Sequence, residues 1–222
     1  MVTAAGIERA AVAAAAGADP AIGMVDGLEV HRLVTGAGLV DVVTSGVGPV
    51  ASSIATSCAL RNGYDLAVSA GIGGGFGAAA PGDVVLADTV VHADLGAQTP
   101  DGFTSMAELG WARVRFQTDQ MLLATLRVRT KSLVGAVLTV STVTGSRQRA
   151  EELTAEHPDA LAEGMEGVGV YQAAARCQVP FAEVRAISNP VGPRDRDSWQ
   201  VQGALKALTA AFTELLADPI TV

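Results

Sequence analysis

From residue 164 to 199 the chain reads G-M-E-G-V-G-V-Y-Q-A-A-A-R-C-Q-V-P-F-A-E-V-R-A-I-S-N-P-V-G-P-R-D-R-D-S-W, and the side chains able to do chemistry stand at the ends of its regular stretches. Glu166 offers a carboxylate, which accepts hydrogen bonds; Asn189 offers an amide, which donates and accepts. Small and apolar residues at helical spacing predict a helix over 168–177, and the β-favouring Phe181, Val184 and Ile187 predict a strand over 180–187. Glu166 then begins the helix and Ser188-Asn189 ends the strand. Both arrive at one edge of a sheet, the carboxyl edge at which open α/β sheets bind ligands.

A second candidate is Gly71-Ile72-Gly73-Gly74-Gly75-Phe76-Gly77, which follows a short buried strand over 65–70. Gly73-x-Gly75-x-x-Ala78 copies the letters of a dinucleotide fingerprint. Such a fingerprint must open a helix, whereas Ala80-Pro81-Gly82-Asp83 turns directly into a strand over 84–91. Glycines after a strand instead let the backbone approach a ligand with free amides. The plainer alternative is a strand-to-strand loop that binds nothing. Glu8 falls in the first turn of an alanine-rich helix over 7–16, where spacing alone makes it a carboxylate favoured by the helix dipole.

The elements that must position these residues follow in order. A strand over 1–5 precedes the first helix, and a hairpin pairs 28–35 with 39–44 around Gly36-Ala37-Gly38. A small-residue helix spans 50–60, entered through Gly46, Gly48 and Pro49. Residues 93–117 read as irregular and carry Phe103, Trp111 and Phe116, either cover for the core or a pocket wall. His92 and Asp94 before them read as structural, and His31 and His157 carry no site signal. A helix over 119–128, a strand over 133–140, a helix over 146–156 that Ser146 can cap, and a final helix over 201–216 complete the chain. This alternation predicts an α/β fold in a single domain over 1–222: a three-layer sandwich with a mixed, mostly parallel central sheet.

Composition bounds the function. With 222 residues, 49% hydrophobic and 17% charged, the chain suits a sheet covered on both faces. A net charge of −8 argues against nucleic acid or an anionic membrane as partner. Cys58 and Cys177 are too few for a disulfide framework, so a reducing cytoplasm is expected. Metal-binding spacing is absent. The alanine run over 10–18 fits neither a signal peptide nor a membrane span.

Five motifs then stand in family order: Thr3-Ala4-x-x-x-Glu8, Ser69-Ala70-Gly71-x-Gly73-Gly74, Pro81-Gly82-Asp83-Val84-Val85, Met165-Glu166-Gly167 and Arg185-Ala186-Ile187-Ser188-Asn189. Through them the chain resembles, nearly end to end, the nucleoside phosphorylase and nucleosidase family. Within that family, the S-N-P-V-G-P-R-D-R-D-S-W tail and the M-E-G-V-G-V-Y run are similar to the members that hydrolyse futalosine in an alternative menaquinone pathway. The resemblance implies cleavage of an N-ribosidic bond to give hypoxanthine and dehypoxanthine futalosine, with no cofactor or metal, in a homo-oligomer.

It also implies roles. Breaking a ribosyl–purine bond develops oxocarbenium character on the sugar and negative charge on the base, so catalysis comes from stabilising both and from a positioned water. Glu8 would be the base for that water. Met165 and Glu166 would hold the ribose and Asn189 would face the purine. Gly71, Ile72, Gly73, Gly74, Ser188, Arg194 and Trp199 would complete the substrate site.

Nucleosidases of 6-aminopurines carry an aspartate where Asn189 stands. An asparagine donates to O6 or N7 and accepts from N1–H, which suits a 6-oxopurine. Ile72 departs from the serine of methylthioadenosine nucleosidases, and the stretch around Val143 and Thr144 matches the family poorly, so neither residue receives a role. Arg194 or Arg196 would pair with the benzoate carboxylate of futalosine; a solvated turn is the plainer reading of both. Three alternatives stay open. They are a phosphorylase, which lacks the arginines of a phosphate site, a methylthioadenosine/S-adenosylhomocysteine nucleosidase, and a non-catalytic nucleoside-binding module.

Overall fold

The computed structural model describes residues 1–17 and 19–220; Ala18, the last residue of the alanine run, lies outside them. A short strand β1 (Val2–Thr3) leads into α1 (Gly6–Ala14), followed by β2 (Ala21–Val25), β3 (Leu28–Thr35), β4 (Gly38–Thr44) and α2 (Pro49–Leu60). The central strands β5 (Ala67–Gly75) and β6 (Val84–His92) come next, then β7 (Gly96–Thr99), β8 (Gly102–Ser105) and β9 (Arg115–Gln117). The chain continues through α3 (Gln120–Thr130), β10 (Leu133–Thr139), α4 (Arg147–Glu156), β11 (Ala160–Gly164), α5 (Gly167–Arg176), β12 (Phe181–Pro190) and α6 (Val201–Leu215).

The main sheet runs β11-β10-β6-β12-β5-β1-β4-β3-β2, with β9 added beside β6. It is mixed, as expected, but parallel and antiparallel pairings are balanced, not mostly parallel. Strand β5 runs parallel to β1 and β12, whereas β12–β6, β3–β4 and β2–β3 are antiparallel. β11 also pairs with β5, so β11, β10, β6, β12 and β5 close on themselves. That closure brings the ends of β11, β12 and β5 together.

Helices cover both faces. α1, α3 and α6 pack on one side through Val12, Leu122, Leu126, Leu208 and Phe212, against Val42, Leu86 and Val184. Each large apolar side chain fully buried in this way contributes about 1.5–3 kcal/mol. On the other side Val168, Val170 and Ala174 of α5 and Leu60 of α2 meet Val85, Val137, Phe181 and Ile187. The period-two alternation of β12 therefore sends Ala182, Val184 and Ala186 to one face. Glu183 and Arg185 share the opposite face with Phe181 and Ile187. No helix among the described residues is long and apolar enough to cross a membrane.

Further expectations need correction. The glycine run does not begin as a loop: β5 continues through Gly71 to Gly75, paired residue by residue with β12. Ser188 and Asn189 likewise lie inside β12, not after its end: Ser188 falls in a register shift between Ile187 and Asn189, and Asn189 pairs with Gly74. The stretch read as irregular holds β7, β8 and β9, and β2 and β11 were not anticipated.

Candidate active site

Glu8 is built into the start of α1. It occupies the third helical position, so its Oε2 reaches back to accept from the backbone N–H groups of Ala4 and Ala5, each at 3.0 Å. The helix-dipole reading of Glu8 thus describes a real contact. Its other oxygen does something different: Oε1 accepts from the Ile72 N–H at 2.9 Å, tying α1 to β5. Burial raises the proton affinity of this carboxylate above the ordinary range, opposed by the charge of Arg185 and by the amide bonds.

Glu166 opens α5. Its Oε1 accepts from Gly48 N–H at 3.2 Å and its Oε2 from Arg185 Nη1 at 3.0 Å. Arg185 donates further to Glu183 Oε1 at 2.8 Å and to Ser69 Oγ at 2.9 Å, and is 1% exposed. One guanidinium thus sits among three buried carboxylates, those of Glu8, Glu166 and Glu183. Burial opposes its charge, yet the surrounding carboxylates keep its proton affinity above ordinary; Glu183 itself is pushed up by burial. This ion cluster was missed by sequence reasoning. Its signal was the pair of charges at alternate positions of an otherwise apolar strand.

Gly71 does not line the cavity. It stands behind it, where an added Cβ would come within 2.6 Å of Glu8 Oε1 and 2.7 Å of Arg185 Nη1. Gly71→Ala is accordingly expected to displace both side chains, costing about 1–3 kcal/mol of stability and roughly 10-fold or more in turnover. Thermal unfolding and kcat measured on the same preparation check this.

A cavity of about 350 Å³ brings the other sequence candidates together: Glu8, Ile72, Gly73, Gly74, Met165, Glu166, Ser188, Asn189, Arg194 and Trp199 all line it. Of the two tail arginines, Arg194 lines it and Arg196 does not. Both guanidinium carbons lie over the Trp199 ring, at 5.5 and 5.9 Å from its centre. Thr144 and Glu163 also face the cavity, the first a residue left without a role and the second one not anticipated. Asn189 is held by its neighbours: Ser188 Oγ donates to Oδ1 at 2.7 Å, and Nδ2 donates to Pro190 O at 2.9 Å. His92 and Asp94 lie outside this cavity, Asp94 accepting from the backbone of Ser141 and Thr142. Among the described residues no cluster of histidine, cysteine, aspartate or glutamate is arranged to hold a metal ion.

Chemically, this is a pocket lined by three carboxylates, those of Glu8, Glu163 and Glu166, and by the neutral amide of Asn189. It is suited to holding hydroxyls, activating a water and reading a base edge. Comparison with known proteins places the chain in a family. The family model described as the phosphorylase superfamily matches residues 2–218. The chain is 46% identical over 220 residues to the futalosine hydrolase of Streptomyces coelicolor, covering 96% of this chain and 92% of that one. Among solved structures it is similar to the Helicobacter pylori 5'-methylthioadenosine/S-adenosylhomocysteine nucleosidase with butyl-thio-DADMe-Immucillin-A, at TM-score 0.83 and 20% identity, covering 97% and 95% of the two chains. The futalosine hydrolase of the same organism superimposes at TM-score 0.82 and 19% identity, covering 96% and 95%; at such identities the likeness is one of fold.

Proposed function

The chain belongs to the phosphorylase superfamily, and on that premise we propose that it is a purine nucleosidase that hydrolyses the N-ribosidic bond of futalosine, giving hypoxanthine and dehypoxanthine futalosine for menaquinone biosynthesis. The observation that carries this reading is the convergence of Glu8, Glu166 and Asn189 on one cavity, in a chain 46% identical to a futalosine hydrolase.

Glu8 takes the proton of the attacking water. Its raised proton affinity makes it a stronger base than an exposed carboxylate, and Ile72 N–H fixes its direction. Glu166, aligned by Arg185, accepts from the ribose hydroxyls while the Met165 thioether packs on the sugar. Two carboxylates near the sugar also favour the positive charge that develops there. Asn189 donates to the purine edge. It supplies no acid proton, so the base departs through hydrogen bonds, which hypoxanthine tolerates better than adenine because it is the better anion. Arg194 faces the benzoate carboxylate at the far end of the substrate, stiffened by Trp199.

Assembly into a homo-oligomer and a cytoplasmic location belong to the same reading. Ile7 and Val47 support the first, since they line the cavity yet stay 55% and 63% exposed. The free thiols Cys58 and Cys177 support the second.

The test is to incubate the protein with futalosine, inosine and 5'-methylthioadenosine without phosphate and identify the base released. Hypoxanthine from futalosine supports the reading; adenine alone would transfer the chain to the methylthioadenosine nucleosidases. Phosphorolysis is disfavoured because Arg185 is already matched by Glu166 and Glu183. Asn189→Asp is expected to shift the ratio of kcat/KM values towards the 6-amino counterpart of futalosine by roughly 10- to 100-fold. Parallel kinetics on the two nucleosides measure it.

A further inference from the structure

The guanidinium of Arg185 is held at all three of its nitrogens, each by a different partner. Nη1 donates to Glu166 Oε2, Nη2 to Ser69 Oγ and Nε to Glu183 Oε1. A planar fork bonded on three sides has little freedom to turn, so these contacts set where Nη1 points and how Glu166 is aimed. Glu183 differs from the other two carboxylates around Arg185. Glu8 and Glu166 line the cavity, and Glu183 does not. Backbone N–H groups of Ala4, Ala5 and Ile72 meet Glu8, and those of Gly48 and Met165 meet Glu166. Among the described residues no backbone donor reaches Glu183.

The charge of Glu183 therefore has little support. The residue is 0% exposed, its Oε2 has no hydrogen-bond partner among the described residues, and burial pushes its proton affinity up. Its neighbours bring no second cation. Ser69 of β5 pairs with it, Val85 and Ala87 of β6 share its face, and Gly167 packs so closely that an added Cβ would collide with both carboxyl oxygens. Arg185 is the one positive charge that acts on it, and Glu166 opposes. What the enclosure does provide is a fixed acceptor, Oε1, 2.8 Å from Nε.

We infer that Glu183 is a positioning residue for ribose binding: its Oε1 pins Arg185 Nε, which aims Nη1 at Glu166, and this acceptor, not the negative charge, is what the site uses. The inference rests on the nucleosidase reading above and deepens it. Glu183 acts through Arg185 and Glu166 and does not meet the substrate.

The test compares Glu183→Met, which has similar length and no oxygen, with Glu183→Gln, which keeps the acceptor and lacks the charge. Two ligands are used with each: futalosine as substrate, and its counterpart without the 2′- and 3′-hydroxyls as competitive inhibitor. Glu183→Met is expected to raise KM for futalosine roughly 10-fold, with a smaller fall in kcat. The inhibition constant of the dideoxy counterpart should stay within about twofold, because the hydroxyls that Glu166 holds are missing from it. Glu183→Gln should return KM to within about twofold of the wild type. A partly unfolded preparation lowers kcat and leaves KM and the inhibition constant in place, so lost stability does not imitate this pattern. If Glu183→Met yields no folded protein, Glu183→Leu replaces it. Equal weakening of both ligands, an unchanged KM in the apolar variant, or a KM raised as far in Glu183→Gln as in Glu183→Met each overturns the inference. Failure of the unaltered protein to release hypoxanthine from futalosine would instead refute the nucleosidase reading itself, so the two failures are distinguishable.

Discussion

Replacing Glu8 by glutamine is expected to lower kcat for futalosine by roughly 10²- to 10⁴-fold while leaving nucleoside binding near its original strength. The amide has the volume of the carboxylate but cannot take a proton from water. It also fails to reproduce the contacts. Three backbone N–H groups aim at the two oxygens of Glu8, from Ala4, Ala5 and Ile72. Whichever way a glutamine turns, its NH2 group meets at least one donor head-on. An unsatisfied buried donor costs about 1–3 kcal/mol, so a modest fall in thermal stability accompanies the loss of turnover.

The pH dependence follows from the same site. Burial raises the pKa of Glu8, and the base is its ionised form. Turnover therefore falls as pH drops through that raised pKa, at a higher pH than an exposed glutamate would give. Glu8→Gln removes this limb. Full turnover in the variant would remove Glu8 from the chemistry.

Arg185→Met is expected to be the most damaging single change to stability. Arg185 holds Glu183 and Glu166 by direct ion pairs, with the side chains of both arginine and Glu183 1% exposed or less. Removing the guanidinium leaves carboxylates buried without their counter-charge, and breaking a buried pair in this way costs about 3–5 kcal/mol. For a chain of this length the expected fall in melting temperature is on the order of 10 °C. Turnover falls too, because Glu166 loses the partner that aims it. The companion variant Glu183→Gln should cost less: it removes a charge that burial already disfavours and that has one oxygen, Oε2, without a hydrogen-bond partner among the described residues. If Arg185→Met melted with the wild type, the ion cluster would have no role in holding the site together.

Much of this was legible from residue order. The hairpin of β3 and β4, helices α2 and α6, the Ser146 cap of α4 and the entry of Glu166 into α5 all follow from periodicity and capping chemistry. The glycine stretch of β5 does not announce a strand, because glycine has little intrinsic strand preference. Its reason is tertiary: at Gly71 a Cβ would occupy the space of Glu8 and Arg185. β2 was hidden because, as an edge strand, Ile22 and Met24 stay exposed and leave no buried face to pattern. β11 was hidden because its Glu163 looks like a loop charge until Thr144 arrives to bond it. The closure of β11 on β5 is a long-range pairing that no local spacing announces.

The central claim is that water, positioned by Glu8, is the nucleophile at a ribose held by Glu166. The most direct measurement is turnover of futalosine in phosphate-free, oxygen-18-labelled water, with mass analysis of both products. The account predicts unlabelled hypoxanthine and one labelled oxygen on the dehypoxanthine futalosine. Cleavage that requires phosphate, or a sugar product without label, would contradict it.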